Sequence, residues 1–278
     1  MSIDTNKDEI TVNDVTYHVE REPDRGGSGE ETLTIKEFSV EEDDWVFPFD
    51  GLQGTLGYEE SGEGLSPRDW SNVGTMAVSY NGYNLGDEDI SKIDFEVECP
   101  RCVGDGFLDD PVAGTDGTDC PDCEATGNID VNPVDYFKRQ GARVVMGLTV
   151  YEHSGITMYA GDVTVPFDSA RWDTSFVGFI YDTPEGVKQC MGDDVSDEEI
   201  KAALEGEVKV YASYLEGDLT WYSVEDDETN YHDACGGFVG DHKYCEEQCF
   251  EALEGAIVKR LAENKERAEW NARDVTTQ

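Results

Sequence analysis

The sequence predicts an α+β protein: a mostly antiparallel sheet with helices on one face. Two observations lead there. The stretch from Arg143 to Tyr181, RVVMGLTVYEHSGITMYAGDVTVPFDSARWDTSFVGFIY, holds three runs rich in β-branched, aromatic and aliphatic residues: Val144–Tyr151, Gly155–Tyr159 and Val177–Tyr181. Turn signals separate them (His153-Ser154-Gly155, Gly161-Asp162 and Pro166-Phe167-Asp168), so they read as consecutive buried strands. A capped amphipathic helix follows from Ser196, and Leu219–Val224 then returns as a strand. Strand, strand, strand, helix, strand is the order of an antiparallel layer covered by helices.

Composition bounds what such a protein does. The chain has 278 residues, enough for one large domain or two modest ones. It is 38% hydrophobic and 10% aromatic, too much for a disordered acidic chain despite a net charge of -43. The 63 acidic residues outnumber the 20 basic ones and spread over the whole length. Three readings compete: a halophilic cytoplasm, a nucleic-acid mimic and a Ca²⁺-loaded protein. The halophile reading leads, because exposed positions on helices and turns alike are acidic, and molar salt screens charge over about 3 Å. A mimic needs its carboxylates at phosphate-like spacing along one face. A Ca²⁺ protein needs Asp-x-Asp-x-Asp-Gly loops, and none is complete. No apolar run approaches membrane-spanning length, and MSIDTNKDEI has neither a basic nor an apolar leader segment. Paired cysteines in such a chain point to metal rather than disulfides, and a cytoplasmic setting without membrane contact is expected.

In order, Ile10–Val12 and Val15–Val19 flank an Asn13-Asp14 turn and read as a hairpin. A polar loop, Pro23–Glu31, leads to a further strand over Thr32–Phe38. Trp45-Val46-Phe47-Pro48-Phe49 is an apolar cluster that anchors this N-terminal arm or docks a partner. Ser66-Pro67 opens a helical turn, after which Trp70, Val73 and Met76 share a buried face, and Asn84–Asp87 turns.

SPRDWSNVGTM, YNLGDED, EHSGITM, WDTSFVGFIY and LEGEVKVYASYLEGD follow one another along roughly residues 60–90 and 144–240. These blocks resemble, in the same order, a family of tailed-phage and plasmid proteins that has no established activity. The family carries Ser-Gly-Gln where this chain has Thr174-Ser175-Phe176. The resemblance implies a viral or mobile-element accessory protein, and the acidity then implies a haloarchaeal host.

Between the blocks lie Cys99-Pro-Arg-Cys102-Val-Gly-Asp-Gly106 and Cys120-Pro-Asp-Cys123-Glu-Ala-Thr-Gly127. A C-x-x-C turn aims two thiolates at one ion, and two such turns complete a tetrahedral shell with no open position. Cys99, Cys102, Cys120 and Cys123 are therefore the expected zinc ligands, in a site that is structural rather than catalytic. The pattern resembles half of the cysteine-rich region of DnaJ-type chaperones, with Ala125 replacing a glycine, and no His-Pro-Asp tripeptide accompanies it. The joining loop, Phe107–Asp119, is acidic, which argues against direct nucleic-acid binding and for folding or protein contact.

PVDYFKRQGA, residues 133–142, is a short helix started by Pro133. Thr183-Pro184 starts another that Gly192 stops, and lone Cys190 beside Met191 is read as a core residue. Ser196 and Glu199 form a capping box for a helix whose Ile200, Leu204, Val208, Tyr211 and Leu215 share a face up to Gly217. A last helix runs from about His242 to Asn271, with an apolar stripe of Phe250, Leu253, Ile257, Val258 and Leu261. Cys245 and Cys249 stand one turn apart on it; with Cys235 and His242 they could form a second metal site, or pack as buried thiols.

The sequence divides into an N-terminal β arm (1–60), a discontinuous α+β core (61–94 and 131–240), a zinc-knuckle insertion (95–130) and a C-terminal helix (241–278). His153 with Asp168 and Asp173 marks a candidate hydrolase or nucleic-acid-modifying pocket, but Ser154 follows His153 directly and no Gly-x-Ser-x-Gly elbow exists. No catalytic constellation is complete. The preferred expectation is a zinc-stabilised protein that acts by binding a macromolecule, with an enzyme and an acidic DNA mimic as alternatives.

Overall fold

The computed structural model describes residues 2–4, 8–24, 29–39, 44–46, 48–59, 66–108, 117–161 and 172–275. In chain order the elements begin with β1 (Ser2–Asp4), β2 (Glu9–Val12), β3 (Val15–Pro23), β4 (Glu31–Ser39), β5 (Asp44–Val46), β6 (Leu52–Tyr58) and β7 (Gly74–Val78). The cysteine-bearing stretch holds β8 (Glu96–Glu98), β9 (Phe107–Leu108), β10 (Thr118–Asp119) and β11 (Asn128–Asp130), and α1 (Pro133–Arg139) follows. Then come β12 (Val145–Glu152), β13 (Ile156–Ala160), β14 (Thr174–Asp182), α2 (Pro184–Cys190) and α3 (Asp197–Leu215). The chain closes with β15 (Leu219–Asp226), β16 (Tyr231–Val239) and α4 (His242–Val275). Sheets that are mostly antiparallel and four α-helices among the described residues make this an α+β fold. None of its described helices is long and apolar enough to cross a membrane.

Two compact units are present. One comprises Met1–Ser66 with Glu216–Gln278, the other Pro67–Leu215. In the first, an antiparallel sheet runs β1-β2-β3-β4-β6-β15-β16, with β5 also on β4. Alternation places Ile10, Val12, Tyr17, Val19, Leu33 and Ile35 on one buried face. Onto this core α4 lays Phe250, Leu253, Ala256 and Ile257. The N-terminal strands are therefore not a separate arm but six of the eight strands of a sheet. The return strand expected to join 144–181 pairs instead with β6, Thr220 opposite Tyr58 and Val224 opposite Gly54. Its alternating pattern fits either sheet, so strand choice depends on pairing across more than 150 residues of chain. Of the Trp45–Phe49 cluster, Phe49 is buried and meets the ring of Tyr17 edge-on at 5.3 Å between centroids. Phe47 and the side chains of Trp45 and Val46 lie outside the described residues.

Arg260 sits at the heart of this unit, its side chain 3% exposed. Its guanidinium donates to both carboxylate oxygens of Asp226 and to the carbonyl of Asp50, and pairs with Glu228 at 3.0 Å.

In the second unit the sheet order is β13-β12-β14-β7, antiparallel throughout. Leu148, Val150, Met158, Val177 and Ile180 face Ile200, Leu204, Val208 and Tyr211 of α3, the stripe that the helical spacing predicts. Ser196 caps that helix: the Glu199 amide donates to Ser196 Oγ at 3.2 Å and the Ser196 amide to the Glu199 carboxylate at 2.8 Å. Thr183 Oγ1 accepts from the Gly186 amide at 3.0 Å and starts α2. On the opposite side of the sheet Phe137 of α1 stacks on Tyr181 at 4.0 Å.

Ser66-Pro67 opens a helical turn as expected, and of the buried face expected for Trp70, Val73 and Met76, Val73 and Met76 are buried and Trp70 is not. The turn is a single 3₁₀ turn, Pro67–Asp69, and Met76 lies within β7. Cys190, expected in a core, is exposed at the end of α2. What organises this region is polar. Arg68 donates to Asp87 at 2.6 Å, to Glu207 at 3.1 Å and to the Gly74 carbonyl at 2.7 Å. The two acids in turn accept from the amides of Met76 and Val73 at 2.7 and 2.5 Å. SPRDWSNVGTM, YNLGDED and LEGEVKV thus converge on one ion-pair network, which accounts structurally for Arg68, Asp87 and Glu207 in them.

Candidate metal centre

The stretch between β8 and β11 folds as two copies of one turn, offset by 21 residues. Each strand leading into a turn pairs with the strand leaving the other: β8 with β11, and β10 with β9. The Cys99 amide donates to the Gly127 carbonyl at 2.8 Å, and the Cys120 amide donates to the Gly106 carbonyl at 2.8 Å. Within each turn the chain reverses through left-handed residues, Val103 and Gly104 in the first (φ 54° and 86°) and Glu124 and Ala125 in the second (φ 52° and 67°). A pseudo-two-fold axis therefore passes between the knuckles and brings four thiols to one point.

The four sulfurs all lie within 4.8 Å of one another. Cys99 Sγ is 3.8 Å from Cys120 Sγ, and Cys102 Sγ is 3.6 Å from Cys123 Sγ. A tetrahedral ion held by thiolates at about 2.3 Å sets its sulfurs about 3.8 Å apart, so the spacing suits a metal without rearrangement. No cysteine of the four is more than 5% exposed, so the shell leaves no open side for a reacting molecule. The Gly106 amide donates to Cys102 Sγ and the Gly127 amide to Cys123 Sγ, each at 3.3 Å; such bonds disperse thiolate charge. Among the thiols the Cys102 backbone amide holds Cys99 down at about 7, whereas burial pushes Cys102 up to about 11. Binding a metal must then expel at least the Cys102 proton at neutral pH. Four close buried cysteines with this geometry can hold a metal ion.

The glycines at 106 and 127 follow from the close approach of the two turns. A Cβ on Gly106 would stand 2.4 Å from the Ala125 carbonyl oxygen, and one on Gly127 would stand 2.3 Å from that of Gly104. Ala125 occupies a left-handed position at which its counterpart is Gly104. Gly127→Ala is expected to weaken metal affinity by well over tenfold, whereas Ala125→Gly gains about 1 kcal/mol of local stability. Competition titration with a chromogenic chelator reads both; equal affinities for the two variants would contradict this backbone account.

The proposed second metal group is not assembled. Among the described residues Cys99, Cys102, Cys120 and Cys123 form the metal-ligand cluster, and Cys235, His242, Cys245 and Cys249 do not. Cys245 and Cys249 are buried in the apolar core beneath α4, where burial raises both thiol pKa values, Cys249 to about 12. Cys235 is exposed on β16, and His242 Nε2 contacts Asp218 at 2.5 Å. The i, i+4 spacing faces inward because the same stripe carries Phe250 and Leu253, so the cysteines act as small hydrophobes.

His153 Nδ1 does meet Asp173 Oδ2, at 3.0 Å, in the turn between β12 and β13. Both side chains are open to solvent, and Asp168 lies outside the described residues. The pair reads as a histidine tethered at a strand end.

The buried clusters of Arg68 and Arg260 escaped sequence reasoning. One signal was available: in a chain with 20 basic and 63 acidic residues, an arginine amid apolar residues, as in Ile257-Val258-Lys259-Arg260-Leu261, has a surplus of acids from which to draw a buried partner. Comparison with family models, curated proteins and solved structures finds no match for this chain.

Proposed function

We propose that the chain is a zinc-binding accessory protein of a virus or mobile element of a halophilic archaeon, working in the cytoplasm by binding a protein partner. The observation that carries this reading is the closed shell of Cys99, Cys102, Cys120 and Cys123, every ligand a buried sulfur. Zinc suits it because a d¹⁰ ion accepts tetrahedral thiolates without redox chemistry, and a saturated shell serves structure. A small module inserted between β7 and β12, whose four buried sulfurs leave a bound metal no open position and which adds nothing to the buried cluster under α3, supports recognition as its use. The acidic surface supports the halophile assignment, and the order of sequence blocks supports the mobile-element origin. Charge speaks against nucleic acid as the direct partner.

The test is metal analysis of the chain purified in molar KCl, combined with capture from expressing cells in the same salt. About one zinc per chain and a partner recovered at stoichiometric yield are expected. Metal absent, or iron in its place, overturns the zinc assignment, and no partner in high salt overturns the binding role. Thermal stability should rise as KCl goes from 0.1 M toward molar, because like-charge repulsion is then screened. A salt-independent Tm removes the halophile reading.

A further inference from the structure

We infer that the first knuckle carries a docking surface, Val103 with Phe107, for a basic, apolar segment of a partner protein. This rests on the binding role proposed above and specifies where the partner sits and what chemistry it has.

The two-fold repeat supplies an internal control. Both knuckles make the same turn, the same amide-to-sulfur bond and the same cross-knuckle hydrogen bonds, so whatever metal binding requires is present in both. At the position equivalent to Val103 the second knuckle has Glu124, at φ 52°, and at that of Phe107 it has Asn128. Neither apolar side chain is needed to build the site. Yet Val103 is 75% exposed and Phe107 50% exposed. Val103 also holds φ 54°, a left-handed conformation that a β-branched residue adopts only at a cost. An exposed, strained valine with a glutamate as its working counterpart has no role within its own turn, and such outliers concentrate at functional surfaces.

Surrounding charge selects the partner. Glu98, whose side chain lies against Gly104, and Asp105 are exposed on the first knuckle, and Arg101 is engaged by Asp122 at 2.9 Å. A polyanion is repelled by this surround, and a second copy of a chain with net charge -43 brings like charges together. A segment bearing Lys or Arg beside one or two apolar anchors matches both features. Where molar salt screens charge beyond about 3 Å, desolvation of Val103 and Phe107 gives the affinity and the charges orient the segment.

Fluorescence anisotropy on the full-length zinc-loaded chain in molar KCl tests this with three peptides of about 12 residues: alternating Lys/Leu, Lys/Ser and Glu/Leu. The Lys/Leu peptide is expected to bind at least about tenfold tighter than either control. Val103→Glu with Phe107→Asn, which installs the second knuckle's residues, is expected to lose at least about tenfold while still binding one metal. Unchanged affinity in that variant, equal binding of the Lys/Ser peptide, or no binding of the Lys/Leu peptide overturns the surface. Loss of metal by the variant overturns it too, since the two side chains would then belong to the fold. Sedimentation showing self-association of the parent and not of the variant replaces the basic partner with a second copy. If the variant captures the same cellular partner as the parent, this surface fails while the binding role stands; if the parent captures none, the binding role itself fails.

Discussion

Cys99→Ser is expected to empty the metal site and unfold the segment between residues 96 and 130 while leaving the sheet beside it intact. The insertion has almost nothing else to hold it. Its core is the four cysteines with Leu108 and Ile129 packed alongside, and its strands pair only two by two. Two-stranded ribbons of two or three residues are not stable in water. A structural zinc contributes about 10–16 kcal/mol of apparent binding free energy at neutral pH, far more than these ladders, so metal binding and local folding are one event. The rest of the unit is insulated: the cluster under α3 contains no residue of the insertion. Metal content should fall from about one to near zero per chain, and a protease should cut within the segment at once, with the main thermal transition little changed. Chelation of the parent should reproduce this, and acid should favour it, because thiols such as Cys102, pushed up to about 11 by burial, must lose protons to bind. A Cys99→Ser chain that keeps stoichiometric metal would refute the four-sulfur assignment.

Arg260→Met should be the most destabilising single change in the other unit. It removes the partner of Asp226, which is 1% exposed, and leaves an uncompensated carboxylate beside the carbonyl of Asp50. Breaking a buried pair from one side costs about 3–5 kcal/mol, a large part of a typical stability of about 5–15 kcal/mol. Denaturant melts followed at Trp221 on β15 should show the midpoint fall accordingly, and Asp226→Leu added to Arg260→Met should recover much of it. The pH dependence has a definite sign. Burial raises the Asp226 pKa, but the Arg260 and Thr229 hydrogen bonds lower it more, and the net folded value lies below normal. Its stabilisation is therefore complete above the unfolded value of about 3.9 and fades as pH falls through it toward the folded one. An Arg260→Met chain as stable as the parent would show the pair to be dispensable.

Elements whose information is local could be read directly from the sequence. The capping box at Ser196, the apolar face of α3 and the β-rich runs around β12, β13 and β14 each declare themselves within one or two turns or one strand. The metal site was legible for the same reason, since each C-x-x-C turn carries two ligands and its own glycine at fixed spacing. Where the reading fails, as in joining Leu219–Val224 to the strands of 144–181, it extends a local pattern to a global partner. For Cys245 and Cys249 it leaves metal and buried thiols open, and the buried thiols are what the core shows. Cys245 and Cys249 stand one turn apart whether they face an ion or a core, and only the sheet beneath α4 decides which.

The residues themselves determine an acidic α+β chain with four cysteines placed to hold a metal ion, because thiol spacing, capping and hydrophobic period act over a few residues. Tertiary structure alone decides that β15 joins β6 rather than β14, and that Arg68 and Arg260 are buried against their acids. It also decides that one knuckle exposes Val103 and Phe107. Strand partners, desolvation and exposure depend on which distant segments meet, and a linear pattern does not contain that.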